Sequence, residues 1–148
     1  MPGAELNALE PDIRALFAAL HHAGDLRACP GGRIHAAEAG REALGTRVRF
    51  ALRSDGQRLL EVRYRAYGCP HTLATCEWLA RKLEGCRLDG LAPGNPLEWA
   101  EQLRVPQAKL GRLLVVEDAL QSALAQCPLS AAAIPAPQAM SPQFPPEA

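Results

Sequence analysis

The chain has 148 residues, enough to bury one hydrophobic core, and its 48% apolar and 22% charged composition is that of an ordinary globular domain. No stretch approaches the run of about 18 apolar residues that a membrane helix needs, so a helical membrane protein is excluded. Lysine plus arginine and aspartate plus glutamate both total 16, so the chain has no global positive field and nucleic acid is not the expected partner.

The segment Met1 to Leu6 has no basic stretch followed by an apolar one, and the expected location is cytoplasmic. Five cysteines, Cys29, Cys69, Cys76, Cys86 and Cys127, are odd in number and irregular in spacing. That pattern favours reduced thiols over a disulfide framework, and the lack of any Cys-x-x-Cys argues against a zinc knuckle.

Between Leu6 and Leu20, the residues Leu6, Leu9, Ile13, Leu16, Phe17 and Leu20 fall on one helical stripe, with Pro11 placed to open or reset the helix. His21 and His22 read as an exposed pair on this helix. After Pro30-Gly31-Gly32, an extended stretch runs from Arg33 to Ala39. In Arg47 to Arg53, Val48, Phe50 and Leu52 alternate with arginines, and past the turn Ser54-Asp55-Gly56, Leu60, Val62, Tyr64 and Ala66 alternate with Glu61, Arg63 and Arg65. This predicts an antiparallel hairpin with a solvated, arginine-rich outer face.

A helical pattern begins directly after Tyr67-Gly68, with Leu73, Cys76, Ala80 and Leu83 on one stripe and Gly85 as its stop. The strand therefore delivers Cys69 to a helix N-terminus. Asn95-Pro96-Leu97-Glu98 opens a short helix to Leu103, with a cap candidate, a first-turn proline and a first-turn acid. Pro106 starts the last long helix, with Leu113, Val116, Leu120, Leu124 and Cys127 in its stripe. The order of elements predicts an α+β domain over residues 1-127, a small three-stranded antiparallel sheet with helices packed on one face. Residues 128-148, rich in proline and alanine, are expected to form a disordered tail.

Three blocks carry a family resemblance: Tyr64-Arg65-Ala66-Tyr67-Gly68-Cys69, then Leu103 to Lys109, then Glu117-Asp118-Ala119-Leu120. They resemble the strand ending in Tyr-Gly-Cys, the Leu-Pro-Pro-Val-Lys loop and the acidic last helix of the IscU/NifU-type iron-sulfur cluster assembly scaffolds. The resemblance implies a non-enzymatic scaffold that holds an iron-sulfur cluster or iron on three cysteines helped by an aspartate, with zinc as a second metal. It also implies a cysteine desulfurase and an Hsp70-type chaperone as partners. In Val105-Pro106-Gln107-Ala108-Lys109 the second proline and the valine of the family loop are missing.

Carried over position by position, the resemblance leaves a depleted ligand set. Leu44 stands for the family's first cysteine, Thr46 for its aspartate, and Gly111-Arg112 for its His-Cys pair, so Cys69 alone remains, with His71 as a candidate supporting ligand. Leucine cannot ligate iron and a guanidinium repels a cation. The expected function is thus a divergent scaffold-like protein with impaired or altered iron and cluster binding centred on Cys69, or a paralogue that holds no cluster and binds partners. A second reading is a thiol-dependent redox enzyme, because Cys69-Pro70-His71-Thr72 resembles the Cys-Pro-His-Cys of disulfide oxidoreductases without its resolving cysteine. Cys76 is expected in the core, and Cys86 and Cys127 in structural places. On either reading Cys69, at a helix N-terminus near Arg112, should be more acidic than an ordinary thiol.

Overall fold

A computed structural model describes residues 11–27 and 31–127. Helix α1 (Pro11–Phe17) is followed by strands β1 (Arg33–Arg41), β2 (Thr46–Ser54) and β3 (Leu59–Tyr67). Helices α2 (Pro70–Leu83), α3 (Pro96–Leu103) and α4 (Leu110–Ala125) complete the domain, with a 3-10 turn at Glu42–Leu44 and another at Gln107–Lys109. The sheet order is β1-β2-β3, antiparallel throughout. The α+β class, the three-stranded sheet and the element order are those expected from the sequence.

Alternation sorts the two sheet faces. Val48, Phe50, Leu52, Val62 and Tyr64 are buried and meet Leu79, Leu83, Leu113, Val116 and Leu120 from the helices. Helix α4 lies across β1 and β2, α2 lies against β3, and α1 packs on α2. The last long helix begins at Leu110, after the second 3-10 turn, and not at Pro106 as expected; the starts of α2 and α3 follow from local chemistry. Pro70 and Pro96 occupy first-turn positions where no amide donor is needed, and the Asn95 side chain accepts from the Glu98 amide at 3.1 Å.

Four other sequence expectations need correction. The first helix ends at Phe17, short of Leu20, and the expected turns at Leu6 and Leu9 lie outside the described residues. His22 is not an exposed helical residue; it lies beyond α1 with its side chain only 15% exposed. A β-bulge near Arg53 and Ser54 changes the register, so Leu59, not Leu60, enters the core. The outer face is only partly wet, because Glu61 is fully buried there and ion-paired to Arg27 and Arg63 at 3.3 and 3.1 Å. At its exposed end, Arg47 is paired with Glu38 and Glu42, and Arg65 with Asp25. The expected tail, 128-148, and Cys29 lie outside the described residues.

The segment after α1 runs beside β3. The Tyr64 amide donates to the His22 carbonyl and the Gly24 amide to the Tyr64 carbonyl. Further along the same edge, the Leu59 amide donates to the Cys86 carbonyl, and the Val62 amide to the Glu84 carboxylate at 3.0 Å.

Candidate functional site

Strand β3 ends at Tyr67, Gly68 turns the chain, and Cys69 is the N-cap residue of the 14-residue helix α2. Glycine relieves crowding at this turn: a Cβ at Gly68 would lie 3.1 Å from the Thr72 side chain. The Thr72 amide donates to the Cys69 carbonyl at 3.0 Å, which closes the first turn, and the Thr72 hydroxyl lies 3.6 Å from Cys69 Sγ. Cys69 is half-buried.

Burial alone would raise the pKa of the Cys69 thiol, but hydrogen bonding to its thiolate from His71, from the Thr72 side chain and amide, and from Arg112 outweighs it and holds the pKa at about 5. The first turn of α4 therefore comes close to this place. Arg112 extends from the first turn of α4 to the thiol, and Gly111 lines the cavity beside it. That cavity, of about 270 Å³, is lined by Gly40, Leu44, Thr46, Ala108, Gly111, Arg112 and Val115. Gly40 has φ +84°, and a Cβ there would collide with the Thr46 carbonyl oxygen and approach Val115 Cγ1. Its absence lets β1, β2 and α4 converge beneath the cavity. Leu44 is 80% exposed at the cavity rim, whereas Thr46 is buried.

His71 is 9% exposed, and its buried Nδ1 has no hydrogen-bond partner among the described residues. A buried, unsatisfied imidazole nitrogen beside a thiolate is a place for a proton, a polar ligand or a metal. As a cluster site the donor set is incomplete: among the described residues no three His, Cys, Asp or Glu side chains group closely enough to hold a metal ion. Cys69 and His71 supply two donors, and the guanidinium of Arg112 stands beside them.

The remaining thiols are elsewhere. Cys76 is fully buried in the core, where burial and the neighbouring Glu77 push its pKa far up. Cys86 donates to the Lys82 carbonyl at 3.1 Å and Cys127 to that of Ala123 at 3.6 Å, so both tie down helix ends. Among the described residues no strand follows Tyr67, which removes the later strands that a thioredoxin-like reading would require.

Sequence reasoning missed Thr72 as a neighbour of the thiol, although its position three residues into a helix from Cys69 is the signal. It also missed a buried polar cluster along α2. Glu77, fully buried, accepts from Tyr64 Oη at 3.0 Å, the His22 amide at 2.9 Å and Arg81 Nε at 2.8 Å, and lies 2.7 Å from His22 Nδ1. The other ring nitrogen of His22 lies 3.1 Å from Glu84. Burial alone would raise the Glu77 pKa, but Arg81, His22 and Tyr64 hold it below the usual carboxylate value.

The model of the NifU-like N-terminal domain matches residues 13–132, most of the chain. The chain belongs to this family. A bifunctional protein NifU/MnmA of Rubrobacter xylanophilus is 49% identical over 63 residues, a match spanning 42% of this chain but 13% of that protein. Two solved structures share the NifU-like fold with TM-scores of 0.59. One, assigned as an iron-sulfur cluster assembly scaffold for the SUF system of Fervidobacterium islandicum, is 13% identical and covers 83% of this chain and 99% of its own. The other, a NifU-like N-terminal protein of Brucella abortus, is 17% identical and covers 80% and 92%.

Proposed function

We propose that this NifU-like chain is an iron-sulfur assembly protein that does not hold a cluster by itself, and that its metal contact is reduced to the Cys69 thiolate and the His71 imidazole. The observation that carries the reading is Arg112: a cation stands at the position where the family resemblance puts a cysteine ligand, and it helps to lower the pKa of the family-type thiol that remains, Cys69. Supporting it, Leu44 is exposed at the rim where another thiolate would stand. Thiolates anchor iron-sulfur clusters, and two donors beside a guanidinium are too few for a stable one. The role is binding and assembly in the cytoplasm rather than catalysis, with a cysteine desulfurase and an Hsp70-type chaperone as the partner classes.

Anaerobic reconstitution with ferrous iron and sulfide tests this. The wild-type chain is expected to retain no stable visible chromophore after desalting, while Leu44→Cys/Thr46→Asp/Arg112→Cys gains one that further Cys69→Ala removes. A wild-type chain that keeps one cluster per molecule would refute the reading.

A further inference from the structure

Beyond assembly, the geometry points to Cys69 as a site of oxidative modification: we propose that its thiolate reacts with organic hydroperoxides and that a low-molecular-weight thiol then caps the product. Four features converge on Sγ. It sits at the N-terminus of a 14-residue helix, the Thr72 hydroxyl is 3.6 Å away, Arg112 reaches it from α4, and the unpartnered Nδ1 of the nine-tenths-buried His71 belongs to the imidazole that contacts it. Leu44, Ala108, Gly111 and Val115 line a cavity that shares Arg112 with the thiol, and it offers apolar contact to an alkyl or aryl substituent.

The groups match what the step requires. The thiolate attacks the terminal oxygen of R–O–O–H; an S–O bond forms and the O–O bond breaks. Sulfur loses two electrons, and the departing alkoxide carries that pair and takes up a proton to leave as an alcohol. The product is Cys69–SOH. Arg112 and Thr72 are placed to hold the peroxide oxygens in line and to stabilise the charge that develops on the leaving oxygen. The buried His71 nitrogen is the group able to carry the proton. The sulfenic acid then condenses with an external thiol R′–SH, releasing water and leaving a mixed disulfide. Cys76 cannot do this, because it is sealed in the core and seven residues along the helix, about 10 Å away. Oxidation removes the thiolate that the proposed assembly function uses, so the two states of Cys69 exclude one another.

The test uses the full-length, chelator-treated, reduced chain with cumene hydroperoxide or hydrogen peroxide at about pH 10, where accessible thiols are ionised and acidity no longer sets the rate. Trapping with dimedone and intact-mass analysis followed by peptide mapping locate the product. Cys69 should react at least about a hundredfold faster than N-acetylcysteine, a gain of the size that positioned donors give to a developing oxyanion. Intrinsic nucleophilicity falls with thiol pKa, so acidity alone would make Cys69 slower, not faster. Cumene hydroperoxide should outpace hydrogen peroxide. Thr72→Val and Arg112→Met, each shown folded by circular dichroism, should lose about tenfold each, as expected for one hydrogen bond to a charged group. Arg112→Lys should recover part of its loss. A rate no faster than N-acetylcysteine, a first product at Cys86 or Cys127, or unchanged rates in both folded variants would overturn the proposal. None of these outcomes depends on iron, so the reconstitution experiment stands or falls separately.

Discussion

The first turn of α2 and its later turns both carry ionisable side chains away from full solvent, yet they are built on opposite terms. Around Glu77, each carboxylate oxygen meets donors, and Tyr64, His22 and Arg81 are themselves used up in meeting it. Around Cys69, donors crowd one sulfur while His71 Nδ1 is left without a partner and an apolar cavity opens beside Arg112. The contrast separates charge that locks three segments of the fold together from charge held ready for something outside it. A saturated network gains little from a ligand, whereas an unsaturated one can.

The sharpest way to break this contrast is to remove Glu77. Glu77→Ala strands buried partners on α1's trailing segment, on β3 and on α2, and should cost about 3–5 kcal/mol of stability in urea unfolding. Cys69 alkylation in the folded fraction should be unchanged; a stable variant would deny the network its locking role, and altered thiol reactivity would merge the two clusters into one. Acid probes the same network. Because the folded-state pKa values of Glu77 and Glu61 lie below their ordinary 4.5, their contribution is present above that pH and is lost as pH falls through the folded values. The urea midpoint should therefore hold down to about pH 5 and fall below it, with a shallower fall in Glu77→Gln.

At the other cluster, iodoacetamide alkylation of wild-type Cys69 should titrate with a midpoint near 5, the value its hydrogen bonds impose. Arg112→Met should raise that midpoint by about one unit, or about 1.4 kcal/mol. A midpoint at the ordinary thiol value would remove the activated sulfur from the comparison. The smallest effect is expected at the cavity rim. Leu44→Ser, at an exposed position, should change stability by less than about 0.5 kcal/mol, and a larger loss in a melting curve would mean that this leucine serves the fold after all.

Much of this was legible beforehand because period and punctuation are local. The hairpin alternation, the Asn95 cap and the Gly68-Cys69 junction each declare themselves within a few residues, and so did the convergence of Leu44, Thr46, Gly111 and Arg112 once the family resemblance aligned them. What escaped was long-range. His22 and Glu77 are 55 residues apart, and nothing near His22 announces a buried carboxylate. Glu61 alternates correctly to the outer face, but the chain beyond α1 folds over it, so the same pattern that predicts solvent delivers burial. The displacement of Leu60 by Leu59 is a register event, set by the bulge and invisible to alternation alone.

The hydrogen bonds along β3 have a consequence for self-association. A last strand with a row of open amides is a template on which another chain can lengthen the sheet. Here the amides of Leu59, Val62 and Tyr64 are taken by Cys86, Glu84 and His22. Stripping the His22 segment from its place would unmask the middle of that row, and the first symptom would be aggregation through β3 rather than any change at the thiol.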